Sequence, residues 1–258
     1  MKSVFIILTV SLLFFSCGTQ QKNITSIGDV GPVKAEEVED APFQSIRIIN
    51  NTSLKSLHGV VRDLSLVMNG SVFQEKFLLG KEGLTVRLYD FTSGSFSISA
   101  QVMNTFNATT FNVKINKFNE QADDKALAAT LIHEIMHCIL INIYRRAQKQ
   151  DEQALNSIIN FGLSKSYPSD FHNDFFDIMN AGERGSHELM YHLFYPQMVL
   201  LLERFAETHK QTLNSKEAEF LMWSGLQNID AYQKLSDEKK YKIEFAILKA
   251  KGFEVEAD

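Results

Sequence analysis

His133, Glu134 and His137 lie inside one apolar run, "TLIHEIMHCIL" (130–140). Histidine and glutamate are costly to bury unless something satisfies them. On an α-helix, residues four apart project from the same face one turn apart, so the imidazoles of His133 and His137 can reach a single ion. Glu134 stands beside that face, poorly placed as a ligand but within reach of a water on the ion. A metal there would lower the pKa of such a water toward about 7, and Glu134 could take its proton as it attacks a carbonyl carbon. The competing reading is a pair of core histidines satisfied by neighbouring carbonyls. The uncharged flanks Leu131, Ile132, Ile135, Met136, Cys138 and Ile139 on a long helix favour the metal.

Two halves of the chain must position these residues. Over 43–119 the signals are β-like: "TVRLYDF" (85–91), "SFSISAQVM" (95–103) and "TTFNVKINKF" (109–118) alternate or are rich in β-branched and aromatic residues. "SIRII" (45–49) reads as a strand or a helix start, and "LHGVVRDLSLVM" (57–68) has spacing nearer to helical without deciding. From Glu120 the period becomes 3.6. A long helix is expected over 122–148, with Asp123 or Asp124 at its N-terminus and Arg145 and Arg146 near its end. Further helices are expected around 152–160, 169–179, 215–226 and 236–251. Another should start near Ser186, which would cap it, and be interrupted or kinked at Pro196. Strands first and helices second predict an α+β domain over 43–258.

The chain has 258 residues, 45% hydrophobic and 22% charged, with a net charge of -5. No basic strip interleaved with aromatics, internal repeat or phosphate-cradling glycine loop is present, so nucleic acid is not an expected partner. Two cysteines, Cys17 and Cys138, are too few for a disulfide framework. Residues 1–16 read as an export signal: Lys2, then an apolar run over 4–15 too short to span a bilayer. The stretch Phe14-Phe15-Ser16-Cys17 resembles the bacterial lipobox, with Phe14 where leucine is usual. That resemblance implies an acylated Cys17 and anchorage at a membrane facing the periplasm or the cell exterior. Residues 17–42, polar with the acidic "AEEVED", read as a flexible tether.

The segment around His133 and His137 resembles the active-site helix of the zincin metallopeptidases. The resemblance implies a zinc ion, a zincin-like fold, Glu134 as general base, and a protein or peptide substrate. The third ligand is less direct. A metzincin continuation would need Gly and His where this chain has Leu140 and Ile143. A thermolysin-like one would use Glu188. "GSHELMYHLFYPQM" is most similar to the third-ligand segment of SprT-like zincins, which implies His187 as the ligand and Tyr191 as the aromatic that follows it. His187 therefore ranks first, Glu188 second and His192 third, His192 lying about 140° around the helix from His187. Gly185 would let the backbone approach the metal.

In zincins the last strand before the active-site helix commonly runs along the cleft, which places "FNVKINKF" against the substrate. "FLMWSGLQNIDAYQKL" (220–235) is similar to the tail of small exported bacterial proteins with this helix. The remaining side chains are read from the residues alone. His58 and His209 read as surface, and His172 as exposed or near the site. Tyr191 and Tyr195 could polarise a carbonyl or simply pack. Cys138 reads as core. Asp170, Asp174, Asp177 and Glu183 could orient ligand histidines or be solvated. Two other functions compete: an inactive zincin-like scaffold with a structural metal, disfavoured by Glu134, and a metal store, disfavoured by the absence of His-rich tracts.

The anchor is testable from the sequence alone. Cys17→Ser should release the protein from membranes or block its processing. Normal cleavage with unchanged membrane fractionation would refute the lipobox reading.

Overall fold

The computed structural model describes residues 46–69, 83–92, 100–103, 109–164 and 171–254. The expected signal segment and tether, with Cys17, fall outside them, and so does Asp170. The described chain runs β1 (Ile46–Asn50), α1 (Ser56–Met68), β2 (Leu84–Phe91), β3 (Ala100–Met103), β4 (Thr110–Asn116) and a 3-10 turn (Lys117–Gln121). Then come α2 (Asp124–Gln148), α3 (Glu152–Ser164), α4 (Phe171–Asn180), α5 (Glu183–Thr208), α6 (Ser215–Met222), α7 (Asp230–Gln233) and α8 (Asp237–Ala250). This is an α+β architecture, a small mixed sheet followed mostly by helices.

Alternation builds the sheet. Leu84, Val86 and Leu88 of β2 and Phe111, Val113 and Ile115 of β4 are buried, and the residues between them are not. A side-chain period of two puts each set on one face, toward the helices. The sheet order is β1-β2-β4-β3, with β1, β2 and β4 mutually parallel and β3 antiparallel to β4. Parallel neighbours need a crossover, and α1 supplies the one between β1 and β2. Its undecided pattern resolves as helix because Leu57, Val60, Val61, Leu64 and Met68, spaced by three and four, are all buried. Asn69, just beyond α1, ties the return: its Oδ1 accepts from Ile46 N at 2.9 Å and its Nδ2 donates to Ile46 O at 3.0 Å.

One expectation fails here. β4, which contains most of "FNVKINKF", is paired on both sides, by β2 and by β3, so it has no open edge to offer an extended chain. Among the described residues β3 is the edge strand at that end of the sheet, and it packs against α2. β4 lies between β2 and β3 in the sheet although it follows both in sequence, an ordering that alternation along the sequence does not carry.

α2 is the central helix. Asp123 caps it, its side chain accepting from Ala126 N at 2.8 Å. It is long and apolar enough to cross a membrane, yet 94% of its most apolar window is buried inside the fold, so it is a core helix. It packs against α5, α3, α1 and the edge strand β3. α5 runs as one helix through Pro196 rather than breaking there. A proline removes a single N–H, and the buried stripe of α5 on either side of it holds the axis in place.

His209, read as surface, is instead a bridge at the C-terminal end of α5. Its Nδ1 lies 2.6 Å from Asp63 Oδ2 on α1 and its Nε2 2.9 Å from Asp124 Oδ2 at the start of α2. Its ring stacks on Phe205. Burial pulls the His209 pKa down, but hydrogen bonds and charge from Asp63 and Asp124 outweigh burial and raise it. Asp63 is lowered, chiefly by the hydrogen bond from Arg62, with His209 adding against the cost of burial.

The signs fix a pH window. The contribution of His209 is complete below its unfolded pKa of about 6.5 and is lost as pH rises through the raised folded value. That of Asp63 is present above about 3.9 and is lost as pH falls through its lowered folded value. His209→Gln should therefore lower stability by about 1–3 kcal/mol near pH 5.5, with a smaller gap from wild type at pH 8.5. Urea unfolding at the two pH values checks this, and an equal gap at both would show that no charged bridge forms.

Candidate metal centre

The helical repeat of α2 puts His133 and His137 on one buried face, 3% and 2% exposed. Their Nε2 atoms are 3.1 Å apart. α5 crosses α2 and brings in His187, 0% exposed, with Nε2 3.0 Å from His137 Nε2. The ligand atoms of the three rings lie within 4.8 Å of one another, close enough to hold one metal ion. Zinc–nitrogen bonds of about 2.0–2.1 Å in tetrahedral geometry imply nitrogens about 3.3 Å apart, close to the 3.1 and 3.0 Å that separate His137 Nε2 from the other two.

Each ring is also held neutral. Burial pushes the pKa of His133 and His137 well below the usual histidine value. It carries His187 down to about 4, against a raising hydrogen bond to Asn228. A neutral imidazole is the form that coordinates. Glu134, on the same turn of α2, is 3% exposed.

The crossing of α5 differs in detail from expectation. The helix begins at Glu183 after Gly182, whose φ is +80°, so Ser186 lies inside the first turn and does not cap it. Its hydroxyl instead donates to Glu183 O at 2.8 Å and lies 3.2 Å from His137 Nδ1. Gly185 does not face the metal position. A Cβ there would sit 1.8 Å from Ile178 O on α4, so its missing side chain lets α4 and α5 approach.

The two lower-ranked third ligands are placed elsewhere. Glu188 Oε1 accepts from Asp230 N at 2.9 Å, at the start of α7. His192 is exposed beside Glu188, 3.6 Å away. Asp174 and Asp177 are exposed, and Glu183 contributes its carbonyl to Ser186. Cys138 is a buried free thiol whose pKa burial pushes up, consistent with a core role. His58 is exposed. His172 lies on α4.

The segment after α6 supplies two residues that spacing did not single out. Gly225, at φ +88°, lies flat against His133: a Cβ there would be 2.6 Å from His133 Cε1. Asn228 Oδ1 is 3.0 Å from His187 Nδ1. Aromatic packing seats this turn on α5. Trp223 stacks on Tyr191 at 5.1 Å and also meets Tyr195 and Tyr232. Tyr195 OH donates to Glu219 O at 2.7 Å. Both tyrosines of α5 thus have packing roles. The only signal in the sequence was the quoted tail, "WSGLQN", whose glycine and asparagine say nothing about partners as distant as His133 and His187.

No family model matches the chain, and no curated protein and no solved structure matches it either.

Gly225→Ala would meet both a left-handed backbone and the His133 ring. The variant should lose about 1–3 kcal/mol of stability and bind divalent metal more weakly, with its secondary structure retained. Thermal unfolding and a metal titration read the two effects. Unchanged affinity would show that Gly225 does not set the position of His133.

Proposed function

We propose that the protein is an exported, membrane-anchored zinc metallopeptidase of zincin type. The observation that carries this reading is the convergence of three buried, neutral imidazoles with Glu134 one residue from a ligand position. His133, His137 and His187 would hold the metal. Among the described residues no fourth ligand joins them, and three protein ligands with one open position is the arrangement of catalytic rather than structural zinc sites. Imidazole sets also suit other transition metals, and the zinc assignment rests on the resemblance of the 130–139 segment to zincins.

Zinc bound there would act as a Lewis acid on a substrate carbonyl and would lower the pKa of a water toward about 7. Glu134 acts as general base, taking the proton of the attacking water and delivering it to the leaving amine. Its burial against the apolar flanks of α2 strengthens that exchange by excluding bulk solvent. An extended peptide would be read by the edge strand β3, which lies against α2, through backbone hydrogen bonds. Acylation of Cys17 would hold this chemistry at a membrane surface.

Glu134→Gln should keep full zinc content while peptide hydrolysis falls by 10²-fold or more, roughly the loss of a general base. His137→Ala or His187→Ala should lose metal and hydrolysis together. Elemental analysis beside a peptidase assay on the purified protein separates these outcomes. Unaltered hydrolysis in Glu134→Gln would refute the mechanism, and full zinc in either histidine variant would refute the site.

A further inference from the structure

The three rings are not held alike. Ser186 Oγ gives its single proton to Glu183 O, so toward His137 Nδ1, 3.2 Å away, it can only accept. His137 must then carry its proton on Nδ1. Asn228 Oδ1, an acceptor, sets the same tautomer in His187 across 3.0 Å. Both Nε2 atoms consequently present lone pairs, 3.0 Å apart with no proton between them. His133 differs: its Nδ1 is buried with no hydrogen-bond partner among the described residues, and Gly225 closes on its ring. Its Nε2 lies 3.1 Å from His137 Nε2, a distance at which an Nε2–H on His133 can donate to that lone pair.

We infer that Ser186 and Asn228 are positioning residues that lock His137 and His187 as Nδ1–H tautomers, and that His133 is the ring that moves its proton from Nε2 to Nδ1 when a divalent cation enters. The lock stands on the metal-free geometry alone, and the proton shift rests on the metal-centre reading above. The proton count is conserved. One N–H bond breaks at Nε2, one forms at Nδ1, solvent carries the proton, and the ring remains neutral. Partners on the outer ring nitrogen fix the tautomer and orientation of ligand histidines, and their loss commonly costs 10–100-fold in metal affinity. Two rings here have such partners from different elements, α5 and the turn after α6. The third is held by steric contact with Gly225.

Ring-nitrogen NMR of the ¹⁵N-labelled protein at neutral pH, before and after zinc, tests this without any assay of hydrolysis. Before zinc, His137 and His187 should show Nδ1–H and His133 should show Nε2–H. After zinc, all three should show Nδ1–H. Asn228→Leu should mix the tautomers of His187 and weaken zinc about 10–100-fold, and Asn228→Asp should restore both. Ser186→Ala should do the same to His137, with rescue by Ser186→Thr. An Nε2–H on His137 or His187 in the metal-free protein, or an Nδ1–H on His133, overturns the inference. Zinc that leaves every ring shift unchanged overturns the proton shift and the metal-centre reading together. That failure is distinct from failure of the lock, which appears before metal is added.

Discussion

The crossing of α2 and α5 is the contact on which the rest of this structure depends. α2 alone can bring His133 and His137 together, but two imidazoles on an apolar helix are a liability without a third group. The crossing supplies His187 at 3.0 Å from His137. It is held from outside the cluster. Gly185 lacks the side chain that would separate α5 from the Ile178 carbonyl, so α4 backs the first turn of α5 closely. A single added carbon at Gly185 would act on the cluster from a distance, through the position of a whole helix.

The C-terminal third of the chain is the other wall. Its turn between α6 and α7 is anchored by Trp223 against Tyr191, which follows His187 by one helical turn on α5. The same aromatic stack therefore aligns His187 and the turn that hydrogen-bonds it through Asn228. At the opposite end of α5, His209 joins α1 to the start of α2 through two carboxylates. α5 is thus tied at its first turns by the hydrogen bond between Ser186 Oγ and His137 Nδ1, and at its last by the His209 bridge. Both fastenings reach α2, and a helix fixed twice to its neighbour cannot slide along it.

Electrostatics separate the two histidine assemblies. At the cluster the rings face one another and burial holds them neutral, which suits a cation that arrives with its own charge. At His209 burial again lowers the pKa, but the two facing carboxylates outweigh it and raise the value. The same residue type serves opposite ends because desolvation lowers a histidine pKa and adjacent carboxylates raise it, and the count of carboxylates decides which wins.

The sequence by itself determined what is local. Helical spacing placed His133, Glu134 and His137 on α2, and put Asp123 or Asp124 at its start, where a carboxylate meets free N–H groups. Alternation marked β2 and β4, and the change of period near Glu120 separated the sheet from the helices. What only the tertiary structure decided is what depends on elements far apart in the chain. Among the described residues it put β4 inside the sheet and β3 at that edge, because strand order is set by packing and not by adjacency. It brought His187, rather than Glu188 or His192, to the cluster through the rotation of α5. It turned His209 from a surface residue into a bridge to partners 146 and 85 residues away. It drew Ser186, Gly225 and Asn228 around the rings, since a hydroxyl, a missing Cβ and an amide acquire meaning only from the atoms that face them. Periodicity reports which way a side chain points from its own element. Which atom it meets is settled by the contacts between elements.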